Sequence, residues 1–150
     1  MALREIRTFN DPILRKKCKT VDAVNSRIIN ILDDMAETMY HSIGGGLAAN
    51  QVGILRCLVV VDVGDGLLKL INPEIISTEG LQIVNEGCLS FPDVWGEVKR
   101  PKKVTVKFNN ENGETKYIDG EGILAQCLCH EIDHLNGTVF IDKVIEFIKL

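Results

Sequence analysis

Long apolar runs and an excess of positive charge are both missing from this sequence of 150 residues. No stretch of about 18 uninterrupted apolar residues occurs, so we expect no membrane-spanning helix. The net charge is −4, whereas most nucleic-acid-binding domains are basic, and we expect no direct binding of nucleic acid. An apolar leader is missing as well. Arg4, Glu5 and Arg7 lie where a signal peptide would need apolar residues, which predicts a cytoplasmic protein.

A regular set of paired cysteines is also missing. The cysteines are odd in number and irregularly spaced, so a disulfide framework is not expected. Each cysteine taken alone is most simply a small buried apolar residue. They are Cys18, Cys57, Cys88, Cys127 and Cys129. The chain shows no repeat or linker, and its length predicts one domain over residues 1–150.

The spacing of apolar residues predicts helices near both ends of the chain and strands between them. After Asp11 a short helical turn is expected, and Asn25 is a candidate N-cap for a helix through about His41. A second helix is expected over about residues 121–135. Breaks are predicted at Asn72-Pro73 and through the irregular stretch FPDVWGEVKRP, and Asn112-Gly113 predicts a hairpin turn. The predicted strands are 56–63, 67–72, 74–80, 81–87, 103–109 and 114–120. This segregation of helices and strands favours an α+β fold.

The stretch LCHEIDHLNG, residues 128–137, has the spacing of a metal-binding helix. His130 and His134 are four positions apart and therefore lie on one helix face, where both imidazoles can bind one metal ion. Glu131 follows the first histidine, about 100° around the helix, where a carboxylate can act as a base on metal-bound water. The alternative is a polar stretch of a surface helix without a metal.

A third ligand must come from another residue, and the sequence leaves its identity open. Cys88 is the best candidate, because Gly87 before it permits unusual backbone dihedrals that can aim the cysteine side chain. Cys127 lies seven residues from His134, about 10 Å along the helix axis, too far for a short side chain to close. Weaker candidates are Cys129 and His41. Two histidines, one cysteine and an open fourth position are typical of a catalytic metal site.

The glycine-rich stretch GGGLAANQVG also has two interpretations. It lacks the Gly-Lys-Ser/Thr ending of a phosphate loop and follows a helix instead of a strand. It is either a flexible turn or a backbone that closely approaches a substrate. In the second case Gln51 is a candidate donor to a developing oxyanion.

Three motifs taken together resemble those of the peptide deformylase family. They are GGGLAANQ (44–51), EGCLS (86–90) and HEIDH (130–134), which are similar to GxGLAAxQ, EGCLS and HExDH in order and separation. The resemblance extends over nearly the whole chain. It implies an α+β fold with a mixed, largely antiparallel sheet around a central metal-binding helix.

The resemblance also implies a role for individual residues. Cys88, His130 and His134 would be the metal ligands, with water in the fourth position. Glu131 would be the general acid/base, and Gln51 and the backbone N–H of Leu89 would stabilise the oxyanion. Residues expected to bind the substrate peptide or to shape its pocket are Gly44, Gly45, Gly46, Glu86, Arg100, Leu124, Cys127 and Leu128. Gly45 departs from the family pattern, in which a larger apolar residue is common.

The activity implied by the resemblance is removal of the formyl group from N-formylmethionyl peptides, with release of formate. One divalent ion is expected, Fe²⁺ in the cell, with Zn²⁺, Ni²⁺ or Co²⁺ as substitutes. No basic patch supports an association with the ribosome.

Two other functions are compatible with part of the pattern. A metalloprotease that cuts internal peptide bonds would need a third ligand downstream of the helix, and no histidine follows His134. A non-catalytic metal-binding module would need four protein ligands, with Cys127 or Cys129 as the fourth.

Overall fold

A computed structural model describes residues 2–149 and confirms the α+β fold. The helices are α1 (Ser26–His41) and α2 (Ile123–Leu135). The strands are β1 (Gly46–Ala48), β2 (Leu58–Val61), β3 (Leu68–Glu79), β4 (Gln82–Cys88), β5 (Phe91–Arg100), β6 (Lys103–Asn109), β7 (Thr115–Glu121) and β8 (Val144–Ile148). Short 3₁₀ helices cover Pro12–Arg15, Ala49–Val52 and Phe140–Asp142. None of the helices within residues 2–149 is long and apolar enough to cross a membrane.

The strands form two sheets. One has five strands in the order β1-β2-β3-β6-β7, and the other has three in the order β4-β5-β8. Every ladder between these strands is antiparallel, and the parallel pairing in the described chain is an isolated bridge between Lys19 and Arg56. The expected single sheet is therefore divided, and α2 packs against strands of both parts.

Helix α1 begins and buries its apolar face as its sequence predicts, and α2 covers Ile123–Leu135 of the expected 121–135. The Asn25 side chain accepts a hydrogen bond from the Ile28 amide at 3.0 Å, which confirms the N-cap of α1. Leu32, Met35 and Met39 of α1 are completely buried against β1 and β2. Helix α2 contacts β1, β2, β3 and β7, so the metal-binding sequence lies at the centre of the fold.

Two local predictions were wrong, and one strand was missed. The stretch expected to be irregular is strand β5, which forms a hairpin with β4. Strand β3 continues through Asn72-Pro73 with a shift of register, because the Asn72 side chain bonds both the N–H and the C=O of Val21 at 2.8 Å and supports its φ of 52°. Strand β8 was not predicted at all, since it is short and mostly exposed.

Gly137 and Gly113 allow a matched test of how α2 is joined to the N-terminal segment. Both have left-handed backbones, with φ of 75° and 77°. A Cβ at Gly137 would collide with the backbone carbonyl of Arg15, whereas a Cβ at Gly113 would meet nothing within 4 Å. Gly113→Ala should cost about 1–2 kcal/mol of unfolding free energy from backbone strain alone. Gly137→Ala should cost a further ~1–3 kcal/mol from overpacking. Urea unfolding of both variants measures the difference, and equal losses would contradict this packing.

Candidate metal centre

Three side chains, one from β4 and two from α2, come together at the surface of α2. The possible ligand atoms of Cys88, His130 and His134 all lie within 4.8 Å of one another. Cys88 Sγ is 3.3 Å from His134 Nε2. The histidines lie one helical turn apart on α2, as their spacing predicts. Cys88 is the last residue of β4 and pairs with Phe91 across a two-residue turn, which directs its side chain to the helix.

A buried carboxylate fixes the orientation of the His130 ring. Glu86 Oε1 lies 2.7 Å from His130 Nδ1. Arg100 donates to both oxygens of Glu86, at 2.6 and 2.8 Å, and reaches Asp133 on α2 at 2.7 Å. Burial would raise the pKa of the Glu86 carboxyl, but the hydrogen bonds from Arg100 and His130 lower it to about 2. An ionised Glu86 accepts a hydrogen bond from Nδ1–H of His130, which leaves Nε2 as the atom that can bind a metal.

The charges around the cluster favour a cation. Burial alone would lower the pKa of His130, but the charge of Glu131 and the hydrogen bonds with Cys88 and Glu86 raise it well above its usual range. The surroundings of the ring therefore stabilise a positive charge, which a metal ion supplies when it replaces the proton on Nε2. Burial lowers the pKa of His134 well below its usual range, which keeps that imidazole neutral and able to act as a ligand. The site therefore supplies two ligand nitrogens and one sulfur in surroundings that attract positive charge. These residues fit one divalent ion, and the softness of their sulfur and nitrogen ligand atoms suits zinc or iron.

Glu131 lies beside the ligands without joining them. Its Oε2 is 4.0 Å from His130 Nε2, and its Oε1 is buried with no hydrogen-bond partner among residues 2–149. Burial raises the pKa of the Glu131 carboxyl to about 7, against the opposing charge of His130. A carboxylate with a pKa near neutrality can both accept and return a proton at physiological pH.

Gln51 reaches the same place from the segment after β1. The Ala48 amide donates to its Oε1 at 2.9 Å, and its Nε2 donates to Ser90 Oγ at 3.0 Å. The same Nε2 is 3.4 Å from Cys88 Sγ. The side-chain amide therefore donates one hydrogen bond to Ser90 and directs another to Cys88 of the ligand cluster.

The cavity in front of the cluster has a volume of about 600 Å³. Its wall contains most of the residues expected from the sequence, namely Gly44, Gly45, Gly46, Gln51, Glu86, Cys88, Leu89, Cys127, His130 and Glu131. Leu124 and Leu128 are not part of this wall. Both contact Gly120 and pack in the core. Ile123 and Gln126 occupy the helix side of the cavity instead. Arg100 braces the site from behind through Glu86 and Asp133.

The remaining metal-ligand candidates lie outside the cluster. Cys127 Sγ contacts the carbonyl oxygen of Gly45 at 3.4 Å, and Cys129 is buried in the core. His41 is the exposed last residue of α1. Within residues 2–149 a fourth protein ligand from Cys127 or Cys129 is thus not indicated, which weighs against a closed structural metal site.

Sequence reasoning missed two buried polar residues of this centre. Ser90 accepts from Gln51, and Asn50 donates to the carbonyl of His134. Both lie inside the motifs GGGLAANQ and EGCLS, and this position was the one feature of the sequence that could have indicated them. Their partners are far away in the sequence, and no local periodicity reveals such bonds.

Comparisons with known proteins agree with this geometry. The model of the polypeptide deformylase family matches residues 3–149. A peptide deformylase of Caldanaerobacter subterraneus is 64% identical over 148 residues, covering 99% of this chain and 93% of that protein. Peptide deformylase 2 of Clostridium acetobutylicum is 55% identical over 150 residues, covering 99% of this chain and 100% of that protein.

Solved structures show the same fold. The peptide deformylase of Thermotoga maritima superposes with a TM-score of 0.92 at 43% identity, covering 95% of this chain and 97% of that one. The peptide deformylase of Synechococcus elongatus, solved in complex with actinonin, has a TM-score of 0.92 at 42% identity and covers 94% of this chain and 78% of that one. With its motifs, its fold and nearly its whole length shared in this way, the chain belongs to the polypeptide deformylase family.

Proposed function

We propose that Cys88, His130 and His134 hold one divalent ion and that Glu131 moves the proton during deformylation. The family makes the chain a hydrolase that removes the N-terminal formyl group from nascent peptides. The observation that supports these residue roles is the convergence of three ligand atoms within 4.8 Å of one another, beside a buried carboxylate and a buried amide.

A divalent ion bound there would polarise the formyl carbonyl and acidify water, bringing its pKa from about 15.7 towards 7. Glu131 accepts a proton from the attacking water, whose oxygen forms a bond to the formyl carbon. The carbon–nitrogen bond then breaks, and Glu131 delivers the proton to the departing amine. Formate and a peptide with a free N-terminus are the products.

The oxyanion that forms on the formyl oxygen needs hydrogen-bond donors. Gln51 supplies its side-chain N–H, since its oxygen is already held by the Ala48 amide. The backbone N–H of Leu89 is the second donor in this proposal, because Leu89 follows Cys88 directly in the turn between β4 and β5. The Gln51 side chain is held by Ala48 and Ser90 before the substrate binds, which supports its role as a donor.

The substrate peptide pairs with the free edge of β1. Strand β1 is the first strand of the five-stranded sheet, so its outer edge has no neighbouring strand in that sheet. An extended peptide can add to such an edge through main-chain hydrogen bonds. The methionine side chain then enters the apolar part of the cavity, near Leu89 and Cys127.

The metal in the cell is Fe²⁺ in this proposal, with Zn²⁺, Ni²⁺ or Co²⁺ able to replace it. One sulfur and two imidazole nitrogens suit any of these ions. The chain acts as one catalytic domain over residues 1–150, on nascent peptides in the cytoplasm and without binding nucleic acid. Association with the ribosome lacks support from a basic patch.

Formate release from formyl-Met-Ala, measured together with metal content, tests the proposal. Gln51→Ala should lower kcat by about 10²–10³-fold, the usual cost of one oxyanion donor. Glu131→Ala should lower kcat further, because it removes both proton transfers. Metal content serves as the control, and a fully loaded Glu131→Ala variant with undiminished activity would refute the assignment.

Gly46 and Gly45 give a second test, of the close approach between β1 and α2. A Cβ at Gly46 would lie 2.6 Å from Glu131 Oε2 and 2.8 Å from Cys127 Sγ, whereas one at Gly45 would have its nearest contacts at 3.8 Å. Gly46→Ala should lower kcat/KM by about 10²-fold, as expected when a catalytic group is displaced by about 1 Å. Gly45→Ala should lower kcat/KM much less. Similar losses in steady-state assays of the two variants would argue against the close packing of Glu131 on Gly46.

A further inference from the structure

Asn50 joins the substrate-side segment to the metal-binding helix. It lies between Ala49 and Gln51, at the unspecified position of the motif GxGLAAxQ, and its side chain is completely buried. Its Nδ2 donates to the backbone carbonyl of His134 at 2.5 Å, across 84 positions of sequence. The residue before the oxyanion donor is therefore bonded directly to the backbone of a metal ligand.

The two imidazoles of the site are supported unequally. His130 Nδ1 has the carboxylate of Glu86 as its partner. His134 Nδ1 is buried and has no hydrogen-bond partner in the described part of the chain, and the same is true of Asn50 Oδ1. Because neither atom has a partner, Asn50 does not bond the His134 ring itself, and its support reaches His134 through the backbone carbonyl.

We propose that Asn50 is the positioning residue for His134 and acts through the backbone of α2, whereas Glu86 acts directly on the His130 ring. The inference rests on the proposed ligand set. The Asn50 amide fixes the last turn of α2 through the His134 carbonyl. Because Gln51 is the next residue, the same clamp sets the distance between the oxyanion donor and the metal ligand.

The chain contains a matched control in Asn72. Its side-chain nitrogen also donates to a backbone carbonyl, that of Val21, at 2.8 Å, and its oxygen in addition accepts from the Val21 amide at 2.8 Å. It lies at the bend of β3, outside the cavity that contains the ligand cluster. Asn50→Ala and Asn72→Ala therefore remove the same kind of interaction in two places.

The test measures Co²⁺ binding to the full chain by competition with a chelator, together with the visible absorption spectrum of the bound Co²⁺. Asn50→Ala should weaken binding about 10–100-fold, the usual effect of losing an outer partner of a metal ligand, and should change the spectrum. Asn72→Ala should lower the free energy of unfolding of the metal-free chain but leave Co²⁺ affinity and spectrum unchanged. If Asn50→Ala does not fold, Asn50→Leu, which refills the volume, is measured instead.

Unchanged affinity and spectrum in the Asn50 variant would overturn the proposal, as would an equal loss of affinity in Asn72→Ala. Failure of the unsubstituted chain to bind Co²⁺ would be a different result, since it would contradict the ligand set itself. The two failures are therefore distinguishable in one titration series.

Discussion

The ion pairs of Arg100 hold the metal centre together, because they connect the β4–β5 hairpin to α2. Arg100 lies on β5, and its guanidinium bonds Glu86 on β4 and Asp133 on α2 while its side chain is only 2% exposed. Removing one partner of a buried ion pair typically costs about 3–5 kcal/mol, since the other charge is left buried and unpaired. This anchor helps to bring Cys88, at the end of β4, to two histidines that lie more than 40 positions later in α2.

Glu86 links structural support to chemistry. The same carboxylate that pairs with Arg100 accepts a hydrogen bond from Nδ1–H of His130. One group therefore sets both the orientation of the ring and the nitrogen that carries its proton. Its ionisation is secured by Arg100, which outweighs the cost of burial and lowers its pKa to about 2. On the opposite side, Gln51 is fixed by Ala48 and Ser90. The groups proposed to react are thus held in place by the protein itself, which is the arrangement that electrostatic catalysis requires.

The sequence predicted the parts of the site that depend on local geometry. The helical repeat places His130 and His134 on one face, and the apolar stripe of α1 and the hairpin around Asn112-Gly113 follow equally simple rules. Cys88 was favoured by its position after Gly87 and then by the resemblance of motifs, whereas its distance to the histidines depends on the tertiary fold and could not be predicted.

What the sequence did not reveal depends on partners far along the chain. Asn50 and Ser90 make their key bonds with residues 84 and 39 positions away, so no local pattern marks them. The bend at Asn72-Pro73 resembled a strand end because the supporting bond to Val21 is not local either. Leu124 and Leu128 were expected in the pocket wall. The direction of α2 relative to Gly120 places them in the core.

X-ray absorption spectroscopy of the Zn²⁺-loaded chain tests the central claim most directly, namely that Cys88 and the two histidines bind one ion. The spectrum should show one sulfur at about 2.3 Å and two imidazole nitrogens at about 2.0–2.1 Å. The sulfur signal should disappear in Cys88→Ser and remain in Cys127→Ser and Cys129→Ser. A spectrum with no sulfur, with two sulfurs, or with a sulfur that survives in Cys88→Ser would contradict the account.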